Sequence, residues 1–526
     1  MREVLLGQAY YLRFDAKLWR AQQPYAPLGT LYAAAYLRTR GHSTALFDAM
    51  IAPSERDWAR ALDRARPHVA VIYEDSFNYL TKMCLLRMRQ AAETMTGHAQ
   101  SRGIPVIVSG SDATDHPDLY LRAGASAVVL GEGEITLAEA VDALEAGRPL
   151  TDVEGLATLD DRGGVVRTRA RPFVKNLDAL PFPAWDLVDV ARYRAIWSRH
   201  HGYHAMNIAT TRGCPYHCNW CAKPIYGQRY AVRSAAGVAD EIAWLKRDYA
   251  PDQLTIVDDV FGLQPGWLDR FAHAIDQQHA RLPFKCLMRA DQVSAASVRA
   301  LVASGCRMVW MGAESGSQRI LDAMEKGTRV EQIRDAAARL RAAGIEVGLF
   351  LQFGYPGEAW NDVQATLDLV RAIAPDDIGV SVSYPLPGTT FYQRVRAELG
   401  EKQNWFDSDD LAMMYRATFA PEFYRTLHHV VHHEFRADRL GRYVRARAAR
   451  PTELRFADLR HLAAWAYNRI RLRLAARALS RQARQTAHAP APLRLVPVLT
   501  QVAAAVPTRQ DDEARDFGGA PPLVET

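Results

Sequence analysis

Cysteine is scarce in this chain, 6 among 526 residues. So few thiols exclude a disulfide framework and suit a reducing compartment, so a cytoplasmic protein is expected. Long apolar runs are missing too: no stretch approaches the roughly 20 residues that span a bilayer. The opening MREVLLGQAYYLRFD lacks the extended apolar centre of a signal peptide and reads straight into a first strand. Nor does one sign of charge dominate. Sixty-five Lys and Arg face 59 Asp and Glu, a net charge of +6 and too slight a bias to imply nucleic acid. What remains is 48% hydrophobic and long enough for two or three domains with real cores.

The little cysteine there is lies concentrated. Cys214, Cys218 and Cys221 fall within eight residues, spaced C-x3-C-x2-C in Thr210-Thr211-Arg212-Gly213-Cys214-Pro215-Tyr216-His217-Cys218-Asn219-Trp220-Cys221. Thiolates so close can share one metal centre, and iron–sulfur clusters are held by such thiolates. Three readings compete. A structural zinc site wants a fourth ligand, with His217 or His204 nearest, although zinc pairs are more often C-x2-C. A closed electron-transfer cluster needs a fourth thiolate, which Cys286 or Cys306 would have to supply. The third is a resemblance: the run is similar to the cluster loop of radical S-adenosylmethionine (SAM) enzymes, including an aromatic, Trp220, before the last cysteine. In that family three cysteines hold a [4Fe-4S] cluster, and the open iron is chelated by the amino and carboxylate groups of SAM.

Residues 1–150 alternate short apolar runs with helical patterns. Val4-Leu5-Leu6, Ser43–Asp48, Val69–Tyr73, Val106-Ile107-Val108 and Ala127–Leu130 read as strands, with helices between them. That alternation predicts an α/β, Rossmann-like doubly wound sheet, whose ligands sit beyond the carboxyl ends of the strands. The residues there are Tyr73-Glu74-Asp75-Ser76, Ser109-Gly110-Ser111-Asp112 and Gly131-Glu132-Gly133-Glu134, and Gly110 and Gly131 are expected to admit close approach of a ligand. By itself this is equally a scaffold. The run from Ala26 to Leu37, the Ser109–Thr114 run and the GEGE at 131–134 resemble the cobalamin-binding domain fused ahead of many radical SAM enzymes. The resemblance implies corrin contacts from Ser76, Ser109, Gly110, Gly131, Glu132 and Gly133. Two departures stand out. The D-x-H-x-x-G motif is absent, which implies a cobalamin without a histidine lower ligand, and Ser109–Asp112 stands where the family usually has Gly-Gly-Pro-His.

Residues 151–195 read as a linker, with a hairpin turn at Asp160–Gly164 and a connector stiffened by Pro181 and Pro183. From 196 to 395 strand and helix alternate again, with Gly344 just past a helix end. A full or partial (β/α) barrel is predicted, its chemistry at the strand C-termini. There stand Asp258-Asp259, Arg289, Glu314 and the Gly354-Tyr355-Pro356-Gly357-Glu358 run. By resemblance Asp258 or Asp259 meets the SAM ammonium, Arg289 its carboxylate and Glu314 its ribose or amino group. The segment ending Met324-Glu325-Lys326-Gly327 also follows the family pattern.

The resemblance implies an enzyme in which an electron from the cluster cleaves SAM. The 5′-deoxyadenosyl radical takes hydrogen from an unactivated carbon, and methylcobalamin most often supplies a methyl group. Oxidative cyclisation or ring rearrangement on the same cofactors is the alternative. A non-catalytic iron–sulfur or cobalamin-binding protein is the alternative of another class. Only Cys84 precedes the motif and no cysteine follows Cys306, so one cluster is expected. Expected partners are a small-molecule substrate, anionic or lipid-like, and an external electron donor such as flavodoxin or ferredoxin. No catalytic side chain is singled out.

Residues 396–485 read as helical and 486–526 as a disordered Ala/Pro-rich tail. His428 over His432 and His429 over His433 form i, i+4 pairs without a signalled third ligand. Leu459, Leu462, Ala466, Ile470 and Leu474 make an apolar stripe among arginines. It reads as a docked surface helix, with an anionic substrate or a membrane surface as the sharper alternative.

Overall fold

The computed structural model describes residues 3–78, 85–223, 225–399, 405–406, 411, 415–448 and 456–486. Cys84 and the expected tail beyond 486 lie outside the described residues. Residues 1–489 form one compact unit.

Its first sheet follows the alternation of apolar runs. Strands β1 (Glu3–Gly7), β2 (Ser43–Phe47), β3 (Val69–Tyr73), β4 (Val106–Ser109) and β5 (Ala127–Val129) are parallel in the order β2-β1-β3-β4-β5. Strands β6 (Leu156–Leu159) and β7 (Val165–Arg167) extend the edge beyond β5 as an antiparallel hairpin turning at Asp160–Gly164. Side chains alternate between the faces as a pleat requires. Leu5, Ala70, Ile72, Val106 and Val108 pack with Trp58, Ala91 and Met95 of the helices Glu55–Ala65 and Leu86–Gln100. Val4, Leu6, Val71, Ile107 and Val129 pack with Ala33, Leu37, Leu137 and Val141 of the helices Leu28–Thr39 and Glu134–Ala146. Strand order reverses between β1 and β3, the switch point where sheets of this type take ligands.

The second sheet has six parallel strands added in chain order: β8 (Ala205–Ile208), β11 (Gln253–Ile256), β12 (Phe284–Met288), β13 (Cys306–Glu314), β14 (Glu346–Phe353) and β15 (Asp377–Val382). Helices such as Ala235–Asp248 and Val330–Ala342 make the crossovers, giving a curled half-barrel. Between β8 and the first of these helices, β9 (Thr211–Arg212) pairs antiparallel with β10 (Ala231–Val232). The loop carrying the three cysteines is thereby pinched at its base. Ile208, Ile256, Met288, Met311, Leu349 and Leu351 share one core with Val238, Ile242 and Leu340 of those helices, and the same core runs on into Leu28, Leu31, Tyr32 and Phe77 of the first sheet's elements.

Two long helices follow, Pro421–Ala448 and Phe456–Thr486, packed along one another. No helix among the described residues is long and apolar enough to cross a membrane.

Candidate functional site

The cysteine loop is held from four sides. At its start Gly213 takes a left-handed conformation (φ +78°), and a Cβ there would fall on the Arg229 carbonyl, so only glycine fits. Below it, the buried carboxylate of Asp258, just past β11, accepts from the Thr210 and Thr211 amides at 2.7 and 3.0 Å and from the Thr210 hydroxyl. Burial raises the Asp258 pKa to about 6, with the Thr210 bonds opposing. Asp258 therefore supports the turn into the loop, and its oxygens are already engaged. Its neighbour Asp259 is exposed and acts electrostatically on Cys214 and Cys221. Of the two expected acids, Asp259 is the one whose charge is felt at the thiols.

The tip of the loop is fastened by Asn219, a residue that the motif spacing passes over. Its backbone N–H donates to Met324 O (3.1 Å), and its Nδ2 donates to Ala323 O and Glu325 Oε1 (2.8 and 3.0 Å). The Tyr355 hydroxyl donates to Asn219 Oδ1 at 2.9 Å. The 324–327 segment and the Gly354–Glu358 run thus clamp the cysteines. Glu358 closes its own turn by accepting from Gly354 N–H at 2.6 Å. Trp220 packs against the Ile320, Met324, Tyr355 and Phe391 cluster.

Cations face the thiols. Arg289, just past β12, is buried with Nη1 4.0 Å from Cys218 Sγ, over the Tyr216 ring and ion-paired to Asp291 at 2.9 Å. Lys326 pairs with Glu314 at 2.9 Å and acts on Cys218. Glu314 ends β13 in a left-handed conformation (φ +57°) beside a register shift, the kind of backbone strain that gathers at functional sites. Burial raises the Cys214 thiol pKa and pushes that of Cys221 up to about 12, so both hold their protons at neutral pH until a metal displaces them.

The residues fit a three-thiolate cluster better than the other two readings. His217 is exposed and His204 lies at the far end of β8 from the cysteines, so neither completes a zinc site. Cys306 opens β13, at the far end of that strand from the loop, its Sγ donating to Met308 O at 3.6 Å, and Cys286 is buried beside it within β12, so neither supplies a fourth thiolate. Buried Arg289 and Lys326 offset the charge of an anionic cluster and suit a carboxylate beside it.

The carboxyl ends of the first sheet face this loop. Arg212 lies buried between the two acids of the GEGE run, donating to Glu134 Oε1 at 2.6 Å and pairing with Glu132. Tyr32, Phe77 and Tyr226 surround its guanidinium. Phe77, just beyond β3, meets Tyr226 of the cysteine loop with ring centroids 5.6 Å apart. Asn207 of β8 donates to Ala26 O at 3.0 Å. Glu132, expected at the corrin, is occupied by Arg212 and by the Val174 N–H.

Among the described residues, Gln8 Oε1 past β1 and Glu74 Oε2 past β3 are buried without a partner. Burial lifts the Glu74 pKa to about 8, opposed by the Ala9 N–H that Glu74 accepts at 2.8 Å. An unpartnered carbonyl acceptor and a carboxyl that burial keeps protonated suit a ligand rimmed with amides, as a corrin is. Gly110 differs from expectation: a Cβ there would come within 2.9 Å of the Glu74 side chain, so its smallness makes room for Glu74. Ser76 and Ser109 are buried, the latter accepting the Glu74 N–H through its carbonyl. Gly131 is left-handed and open, with Ile225 O of the cysteine loop 3.8 Å from where a Cβ would stand, while Gly133 makes room for the Tyr73 hydroxyl.

Histidines elsewhere do not join this site. His428 Nε2 and His432 Nε2 hydrogen-bond each other at 3.1 Å, burial lowering their pKa values to about 4 and about 3. His433 bonds Asn468. Among the described residues, the group of three whose ligand atoms lie within 4.8 Å is His42, His68 and Glu145, next to the starts of β2 and β3, at the opposite end of the first sheet.

Residues 208–370 match the Radical SAM superfamily and residues 19–141 match the B12 binding domain. The chain is 30% identical over 292 residues to an uncharacterized methyltransferase of Pyrococcus horikoshii, covering 55% of this chain and 62% of that protein. It is 24% identical over 478 residues to the cytidylyl-2-hydroxyethylphosphonate methyltransferase of Streptomyces wedmorensis, covering 77% and 83%. In fold it is similar to the radical SAM methyltransferase TsrM from Kitasatospora setae, solved with cobalamin and a [4Fe-4S] cluster. That likeness has a TM-score of 0.62 at 21% identity over 75% of each chain.

Proposed function

The chain belongs to the radical SAM enzymes that carry an N-terminal cobalamin-binding domain, and on that premise we propose that it methylates an unactivated carbon of a small molecule. The cofactors are one [4Fe-4S] cluster on Cys214, Cys218 and Cys221, SAM, and a cobalamin held without a histidine. The observation that carries this reading is the meeting of Phe77, beyond β3, with Tyr226 of the cysteine loop. It sets the end of β3 against the cysteine loop, which supports cofactors held at neighbouring strand ends.

When bound, the cluster supplies the electron that cleaves SAM, and the corrin carries the methyl group. The chain's own residues hold and orient. Arg289 offers a buried guanidinium to the SAM carboxylate, and Asp259 an acid to its ammonium. Lys326 fixes Glu314 at the edge of the same space. Gln8 and Glu74 take corrin amides at the switch point, and Ser76, Ser109 and Gly131 line the approach. The ends of β1, β3, β4 and β5 carry no histidine at Gln8, Glu74–Ser76, Ser109–Asp112 or Gly131–Glu134. On this reading residues 1–150 bind cobalamin, 196–395 bind the cluster and SAM, and 151–195 join them. A one-electron donor of the flavodoxin or ferredoxin kind reduces the cluster, and the scarcity of cysteine suits a reducing cytoplasm.

Anaerobic incubation of the reconstituted protein with reductant, SAM and extracts of its own cells tests the reading. A methylase forms 5′-deoxyadenosine and S-adenosylhomocysteine together. Deoxyadenosine alone marks a cyclase or rearrangement enzyme, and neither product marks a binding protein. A cobalt(II) spectrum split by a protein imidazole nitrogen would overturn the lower-face assignment.

A further inference from the structure

The last described helix, Phe456–Thr486, turns apolar side chains toward solvent. Leu459, Leu462, Tyr467, Ile470 and Leu474 are between 43% and 59% exposed, whereas large hydrophobic residues elsewhere are overwhelmingly buried. Their spacing of three to five residues gathers them on one stripe about 22 Å long, at 1.5 Å per residue. The opposite face is used already: Asp458, Asn468 and Leu479 are buried, and Asn468 bonds His433 of the neighbouring helix.

Arginine frames the stripe. Around the helix, Arg469 falls on one flank and Arg460 and Arg471 on the other, while Arg473 and Arg477 continue the stripe toward the C-terminal end. The helix holds seven arginines against one acid, Asp458, an excess equal to the +6 of the whole chain. Asp458 is itself taken by Tyr443 at 2.7 Å and Arg447 at 3.5 Å. Among the described residues, Arg460, Arg469, Arg471, Arg473 and Arg477 have no carboxylate within 4.0 Å.

We propose that this face docks the protein on an anionic membrane surface, the apolar stripe entering the headgroup boundary and the flanking arginines meeting lipid phosphates. Flanks of unneutralised guanidinium match a surface of phosphates, which accept paired hydrogen bonds from that group. The helix lies along the surface and does not enter the bilayer as a span. The docking does not depend on the cofactor chemistry, so it stands or falls apart from the proposed methylation.

Flotation of the full-length protein with phosphatidylcholine vesicles, with and without phosphatidylglycerol, tests it. The protein is expected to float with the phosphatidylglycerol vesicles and to release as salt is raised. Loss of two flanking arginines (Arg469→Gln with Arg471→Gln) is expected to weaken binding by about 10- to 30-fold, at about a factor of five for each charge. Ile470→Glu with Leu474→Glu is expected to abolish it, with the circular dichroism spectrum unchanged because all four side chains are exposed. Protein that stays unbound with anionic vesicles overturns the proposal, as does equal binding to both vesicle types. An oligomer that the Ile470→Glu, Leu474→Glu variant dissociates, without vesicle binding by the native chain, assigns the face to a second copy instead.

Discussion

Arg212 Nη2 donates to Glu134 Oε1 across 2.6 Å, joining the strand that leads into the cysteine loop to the first residue of the helix that follows β5. Glu132 completes a buried triad of one cation and two acids, and burial raises the Glu132 pKa with Arg212 opposing. Removing one member of a buried ionic group strands the others in a medium that solvates them poorly.

Arg212→Met is therefore expected to lose about 3–5 kcal/mol of stability, read as a lowered denaturation midpoint. A triple variant adding Glu132→Gln and Glu134→Gln should recover much of that loss, because no uncompensated charge remains. A triple variant as unstable as the single one would show that packing around Tyr32, Phe77 and Tyr226 matters more than charge.

Cysteine and anchor are expected to behave differently. Replacing Cys214, Cys218 and Cys221 together by alanine should leave anaerobically prepared protein without iron. Asn219→Ala keeps every ligand but drops three side-chain hydrogen bonds, each worth about 1 kcal/mol. Its iron should be present after preparation yet pass to a chelator several-fold faster than in the native chain. Equal release rates would deny Asn219 its anchoring role.

At the switch point, Glu74→Gln preserves a donor where the protonated acid stands and should retain cobalamin through gel filtration. Glu74→Ala removes it and should retain markedly less. Equal retention by both variants would place the corrin amides elsewhere.

Burial pushes the Glu358 pKa to about 8, the Gly354 N–H opposing, from an ordinary value of 4.5. A group that binds its proton more tightly when folded stabilises fully below its unfolded pKa, and that stability is lost as pH rises through the folded value. Stability should accordingly fall between pH 4.5 and about 8. Glu358→Gln still accepts from Gly354 and no longer titrates, so its denaturation midpoints should fall less over that range. Glu74 shifts the same way, so the variant combining both glutamines should be flatter still. Parallel pH curves for native and substituted chains would contradict this.

Much of this was legible beforehand. Strand and helix alternation depends on local periodicity, and both sheets lie where the apolar runs put them. The three cysteines announce themselves by spacing. Asp258 was not legible in the same way, because acids adjacent in sequence look alike until the backbone shows which one accepts from Thr210. Asn219 sits inside the motif but acts through Ala323, Glu325 and Tyr355, more than a hundred residues on, and no local pattern encodes such a contact. The partnership of Arg212 with Glu132 and Glu134 is equally remote. Gly110 illustrates a subtler limit: the need for a small residue was readable, whereas the occupant of the space, Glu74, was not.

The contact of Phe77 with Tyr226 makes the two binding regions mechanically continuous. On the proposed reading, each guest then borders on the segment that receives the other. Thermodynamic reciprocity then requires that whatever corrin loading does to the affinity for SAM, SAM returns in equal measure to the corrin.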